Sequence, residues 1–171
     1  MIHTERLLLR QWVDADRDPF AAMGSDAEVM EHFPSPLSRE QSDAFVDRAT
    51  AAIAERGWGL WALEHDGEFL GFTGLAVPRF EAAFTPAVEI GWRLSRNAWG
   101  HGYASEAARA VVAYAFCELR LDHVVSFTTA RNSRSQGVMT RIGMRRVGEF
   151  EHPLIEVGHP QRPHVLYRID A

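Results

Sequence analysis

Two spacings of apolar residues alternate through this chain and sketch its elements in order. Arg6 to Arg10 is a short apolar run that reads as a strand. Asp14 to Met30 has helical spacing, with Asp14 or Asp16 as N-cap and Pro19 near the first turn, and His32 to Pro36 breaks it. Ser38 followed by Gln41 is a capping box. The helix it opens carries Ala44, Phe45, Ala49, Ala52 and Ile53 on one stripe and stops before Gly57. Leu60 to His65 and Glu68 to Val77 are strands joined by the turn Asp66-Gly67, and Ala87 to Ser95 is a third.

Helical spacing returns at Ala104, Ala108, Val111, Val112, Ala115, Phe116 and Leu119. Asp122 to Thr129 is a valine-rich strand, and Ser133 to Ile142 is a short helix ended by Gly143. Met144 to Glu151 and His164 to Ile169 are the last strands. The order β-α-α-β-β-β-α-β-α-β-β mixes hairpins with crossover helices and predicts an α/β fold with a mixed sheet. No repeat or linker interrupts it, so residues 1–171 read as one domain.

Composition narrows the chemistry. Hydrophobic residues make up 46% and charged residues 24%, ordinary for a soluble domain. No apolar run suits a membrane helix, and the N-terminus lacks a secretory pattern, so a cytoplasmic address is expected. Cys117 is the lone cysteine; it falls on or beside the apolar face of its helix and is expected to be an inert buried thiol. All 18 basic residues are arginines, which excludes lysine Schiff bases and the phosphate-loop lysine.

Net charge is −5 and unevenly spread. Residues 1–90 hold 7 arginines against 16 acids; residues 91–171 hold 11 against 7. An acidic chain does not point to nucleic acid. Three of the eight histidines, His152, His159 and His164, lack compact ligand spacing, so no metal site is expected.

The most informative stretch runs from Glu89 through Leu94, then from Asn97 to Ala104 and into a helix. A strand leads into a loop with Gly100 and Gly102 that opens a helix, whose free N–H groups suit a phosphate. A plain structural turn has the same spacing. The dinucleotide fingerprint fits poorly, because the next strand ends Ser126-Phe127-Thr128-Thr129 without an acid.

Several separated motifs carry a resemblance. They are Thr4 to Arg10, Gly71-Phe72-Thr73-Gly74-Leu75, Glu89-Ile90-Gly91-Trp92 with Trp99 to Ala107, Asn132-Ser133-Arg134-Ser135, and Ile142-Gly143-Met144. In this order they resemble the GNAT superfamily of N-acetyltransferases, and more closely its RimJ/RimL-like branch, whose founding members acetylate protein N-termini.

The resemblance implies a twisted mixed sheet with a splayed strand pair that holds the pantetheine arm of acetyl-CoA. Trp92, Arg93 and Leu94 would form the strand edge beside that arm. The loop from Asn97, with Gly100, His101, Gly102, Tyr103 and Ala104, would cradle the pyrophosphate. Asn132 would bond the pantetheine, or simply cap its helix. Arg96, Arg134 and Arg141 are candidates for the adenosine phosphates.

Amine acetylation needs a base, and Glu89 is the first choice; its alternative is an ion pair with an arginine such as Arg93. Many superfamily members place a tyrosine where Met139 stands, so solvent or another group, with Ser135 a candidate, would protonate the departing thiolate. The expected partners are acetyl-CoA and an amine acceptor, which the acidic first half of the chain suggests is cationic, together with a homodimer mate. The competing function is a non-catalytic module that senses acyl-CoA or docks a partner.

Overall fold

The computed structural model describes residues 1–171. Its sheet has eight strands: β1 (Ile2–His3), β2 (Leu8–Arg10), β3 (Leu60–His65), β4 (Glu68–Ala76), β5 (Glu89–Leu94), β6 (His123–Thr129), β7 (Arg145–Glu151) and β8 (Pro163–Asp170). Their spatial order is β1-β2-β3-β4-β5-β6-β8-β7. Every neighbouring pair is antiparallel except β5 and β6, which run parallel. The expected mixed α/β sheet is present.

Four helices cover the sheet: α1 (Arg17–Ser25), α2 (Arg39–Arg56), α3 (Tyr103–Cys117) and α4 (Ser133–Arg141). α3 and α4 lie on one face, where Ala107, Ala108, Val111 and Met139 pack with Leu63, Ile90, Leu94 and Val124. α1 and α2 lie on the other, where Phe20, Met23, Val46 and Ala49 pack with Trp12, Ala62 and Phe72. Side chains alternate faces along a strand. Ile90 and Leu94 of β5 therefore point toward α3, while Glu89, Gly91 and Arg93 point toward the face of α1 and α2.

Several boundaries differ from the sequence reading. The helix expected over Asp14 to Met30 is a 3-10 turn, Asp14–Asp16, running into α1, which ends at Ser25. Asp26 ends it, because its Oδ1 accepts from Glu28 N at 2.8 Å and draws the backbone into turns. On α2 the buried positions are Ser42, Val46 and Ala49, so the expected stripe is rotated toward Val46. The Ser38 capping box is formed: Gln41 N donates to Ser38 Oγ at 3.2 Å, and Ser38 N donates to Gln41 Oε1 at 2.8 Å. Cys117 is exposed at the C-terminus of α3, not buried, since the apolar stripe passes through Ala115 and leaves position 117 facing solvent.

Candidate active site

β5 and β6 meet at a single register position, Glu89↔Val125, supported by Val125 N donating to Val88 O at 3.0 Å. Just beyond it, Ser126 Oγ donates to Ile90 O at 2.9 Å. From there to Leu94 no ladder joins the two strands, so the sheet is split. β5 instead stays with β4 over its full length, from Glu89↔Ala76 to Arg93↔Phe72 and Leu94↔Gly71. Gly71 permits this close approach. Its φ is +137°, and a Cβ there would lie 2.2 Å from Arg93 O.

Main-chain groups on a strand alternate sides, as side chains alternate faces. Val88 and Ile90 use carbonyls on the β6 side, so Trp92 and Leu94 expose theirs to the split while those of Arg93 turn to β4. The Leu94 carbonyl already accepts from Trp99 Nε1 at 3.0 Å. Of the three residues expected beside the cofactor arm, Trp92 thus keeps open main-chain groups. Arg93 is directed elsewhere, with its side chain on the opposite face.

The split opens toward the start of α3. Gly102 (φ +81°) is the N-cap of α3, and Gly100 (φ +84°) turns the loop before it. The first helical bond runs from Glu106 N to Gly102 O, at 3.1 Å. Preceding N–H groups, on Gly102, Tyr103, Ala104 and Ser105, have no intrahelical acceptor, an arrangement that suits an anion. Glu106, in that first turn, is held by Arg6 Nε at 2.8 Å, Arg6 N at 2.9 Å and Thr4 Oγ1 at 2.6 Å. These contacts neutralise a carboxylate that would otherwise repel phosphate.

His101 is exposed and stacks on Tyr103. Asn97 is exposed, and its Oδ1 accepts from Ser95 Oγ at 2.6 Å, so its side chain serves the turn. Among the candidate arginines, Arg141 reaches the α3 start, donating to Ser105 Oγ at 3.1 Å. Arg96 and Arg134 flank the Trp99 ring at 4.9 and 4.7 Å and pair with Glu28 and Glu31.

Asn132 is the N-cap of α4. Ser135 N donates to its Oδ1 at 3.0 Å, and its Nδ2 faces Thr128 Oγ1 and Ser135 Oγ at 3.0 and 3.1 Å. The capping role is formed, and Ser135 Oγ keeps its own proton free to donate. Met139 is 1% exposed and belongs to the core. A phenol missed in the sequence lies nearby: Tyr167 of β8 donates to Gln136 Oε1 at 3.3 Å. Its place in a strand eight positions long gave no local signal that it would meet α4.

At the apex of the split stands Glu89. It has no ion-pair or hydrogen-bond partner, and burial pushes its carboxyl up to about 7. The alternative pairing with Arg93 is absent; Arg93 has no carboxylate within ion-pair reach. Burial lowers its guanidinium to about 10, and the group lies 4.1 Å over Phe33 and 5.5 Å over Phe72.

On the same face, the β4–β5 connection lays Phe80 and Phe84 against Phe127, Phe150 and His152. His164 joins this aromatic wall beside His152. Burial pushes His152 down to about 4, and it lowers His164 too, so both rings are neutral near pH 7. His159 lies apart, in a hollow of about 290 Å³ with Thr129, Glu151 and Arg162. No group of three or more histidine, cysteine or acidic side chains could hold a metal ion, and no helix is long and apolar enough to cross a membrane.

Free N–H groups thus stand at the mouth of a split parallel pair, with a desolvated carboxylate at its apex. The model of the acetyltransferase (GNAT) domain matches residues 6–145, and the chain belongs to that family. It is 35% identical over 156 residues to the FsC-acetyl coenzyme A-N(2)-transacetylase of Aspergillus fumigatus, covering 87% of this chain and 66% of that one. The chain therefore spans just under two thirds of that relative's length.

It superposes on a GNAT-family acetyltransferase from Bacillus anthracis with a TM-score of 0.81 at 28% identity, over 99% of this chain and 97% of the other. RimL, a ribosomal L7/L12 alpha-N-protein acetyltransferase solved with coenzyme A, gives a TM-score of 0.78 at 16% identity over 98% and 95%, a likeness of fold. GNAT acetyltransferases use acetyl-CoA, and the cradle and split suit its pyrophosphate and its extended arm.

Proposed function

We infer that this enzyme transfers an acetyl group directly from acetyl-CoA to a primary amine, with Glu89 as the base. Acetyl-CoA supplies an activated acetyl carbonyl. The N–H groups at the start of α3, aided by Arg141, would hold its diphosphate. Trp92, with free main-chain groups on the split, would bind the arm and orient the carbonyl. Glu89, reached from the α1 and α2 face, would take the proton of the incoming ammonium directly or through water. Ser135 Oγ–H is the donor available to the thiolate. Cys117 lies a full helix away, about 20 Å from the α3 start, which disfavours an acetyl-cysteine step.

One observation carries this reading: an unpartnered, desolvated carboxylate where the parallel pair parts. A structural glutamate would have found a partner, and a pure acyl-CoA sensor has no need of a base. The experiment is CoA release over a panel of primary amines, using the wild type and Glu89→Gln. Turnover by the wild type, reduced about 100-fold or more in the variant, is expected. Tight CoA binding without turnover on any amine would instead establish the sensor.

A further inference from the structure

The arginines withdrawn from water in this fold nearly all have acid partners. Arg10 donates to Asp16 at 2.7 and 2.9 Å and to Glu64 at 2.6 Å; Arg17 meets Asp47 at 2.7 Å, and Arg162 meets Glu151 at 3.0 Å. Arg93 is the exception. Its Nε and Nη1 are shielded from solvent and bond to nothing. A guanidinium cannot escape by losing its proton near neutral pH, so the charge stays, and only the faces of Phe33 and Phe72 offset its desolvation. Such a group signals a partner that arrives with a ligand.

The surroundings show where that ligand would lie. Glu89, Gly91 and Arg93 share one face of β5, with Glu89 and Arg93 about 13 Å apart along the strand. Gly91 lies opposite Gly74, and a Cβ on Gly91 would touch nothing within 4 Å. The floor between the two charged residues is open. Phe33 closes over Arg93 from above. Two more polar atoms near that segment are shielded and unbonded: Nδ1 of His32, next in the chain, and Oε1 of Gln161, whose Nε2 donates to Glu31 O at 2.7 Å.

We propose that Arg93 binds a carboxylate carried by the amine acceptor, so that the enzyme acetylates amino acids or peptide-like amino acids rather than polycations. This rests on the transferase reading of the same cleft. The amine end would lie toward Glu89 and the acid end under Phe33, on the Arg93 fork. The acidic surplus of residues 1–90 does not oppose this assignment. Asp14, Asp16, Asp18, Asp43, Asp47 and Glu64 are all taken up by Arg10, Arg17 and Arg39. None of them is paired with Arg93.

The test uses CoA-saturated protein and calorimetric titration with N-acetylglycine, N-acetylleucine and N-acetylphenylalanine, each against its primary amide. At least one acid is expected to bind tenfold or more tighter than its amide. In Arg93→Met that ratio should fall to near one. The melting temperature of Arg93→Met should stay level or rise, since an unpaired shielded charge has been removed, and this certifies the fold. Equal binding of acids and amides, no binding of either at millimolar concentration, or a preference that survives in Arg93→Met would overturn the proposal. Turnover of amines regardless of a carboxylate would leave the transferase standing without it. Acid-selective binding with no turnover of any amine would do the reverse.

Discussion

Glu89 combines two consequences of a single desolvation. As a base with its carboxyl raised to about 7, it predicts a rate that climbs with pH and levels off above that value; Glu89→Gln should lose the limb along with most of the activity. The same shift acts on folding. Below about pH 4.5 the carboxyl is protonated in folded and unfolded chains alike, and its contribution is intact. As pH rises toward 7 the unfolded chain gives up the proton first, so stability is lost, on the order of 3 kcal/mol by pH 8. Urea unfolding should therefore show Glu89→Gln gaining stability at pH 8 and little at pH 4.5. An identical pH dependence in the two proteins would show that the carboxyl is not desolvated.

Which elements could be read from the sequence follows from where their signals reside. β3 and the Ser38 cap were readable because a hairpin turn and a capping box are local. β1, two residues long, exists only through its pairing with β2, so nothing in its own residues announces it. The α3 loop was readable because glycine spacing before a helix is itself the signal. The side chain of Arg93 was not, because the face it occupies depends on the register of β4 with β5. That register depends in turn on Gly71, where a Cβ would meet Arg93 O at 2.2 Å and Leu94 Cα at 2.8 Å. Gly71→Ala should therefore push β5 off β4, narrow the split and cost about 3 kcal/mol. Weaker CoA binding together with a lower unfolding midpoint would bear this out, whereas unchanged affinity would show that the gap is held by other contacts.

Across the molecule, the sheet separates two packed regions with different duties. The face of α3 and α4 carries the larger core, and on the proposed reading the anion cradle; the face of α1 and α2 carries the smaller core, and on that reading the acceptor cleft. The connection after α1 ties the second face to the first, through Glu28 to Arg96, Glu31 to Arg134, and Gln161 to the Glu31 carbonyl. These long-range ties left no trace in local spacing; with the pairs made by Arg10, Arg17 and Arg39 they bind half of the sixteen acids of residues 1–90 to arginines.

The single main-chain rung between β5 and β6, with the Ser126 hydroxyl beside it, makes the sheet, mechanically, two panels on one hinge. Strands β1 to β5 form one panel and β6, β8 and β7 the other, and an extended ligand in the gap would act as the plank that bridges them. Amide exchange should slow in both panels when CoA is added, including amides that the ligand never touches, because breathing about the hinge would be arrested. Slowing confined to the cradle at residues 100–105 would mean the panels already move as one body.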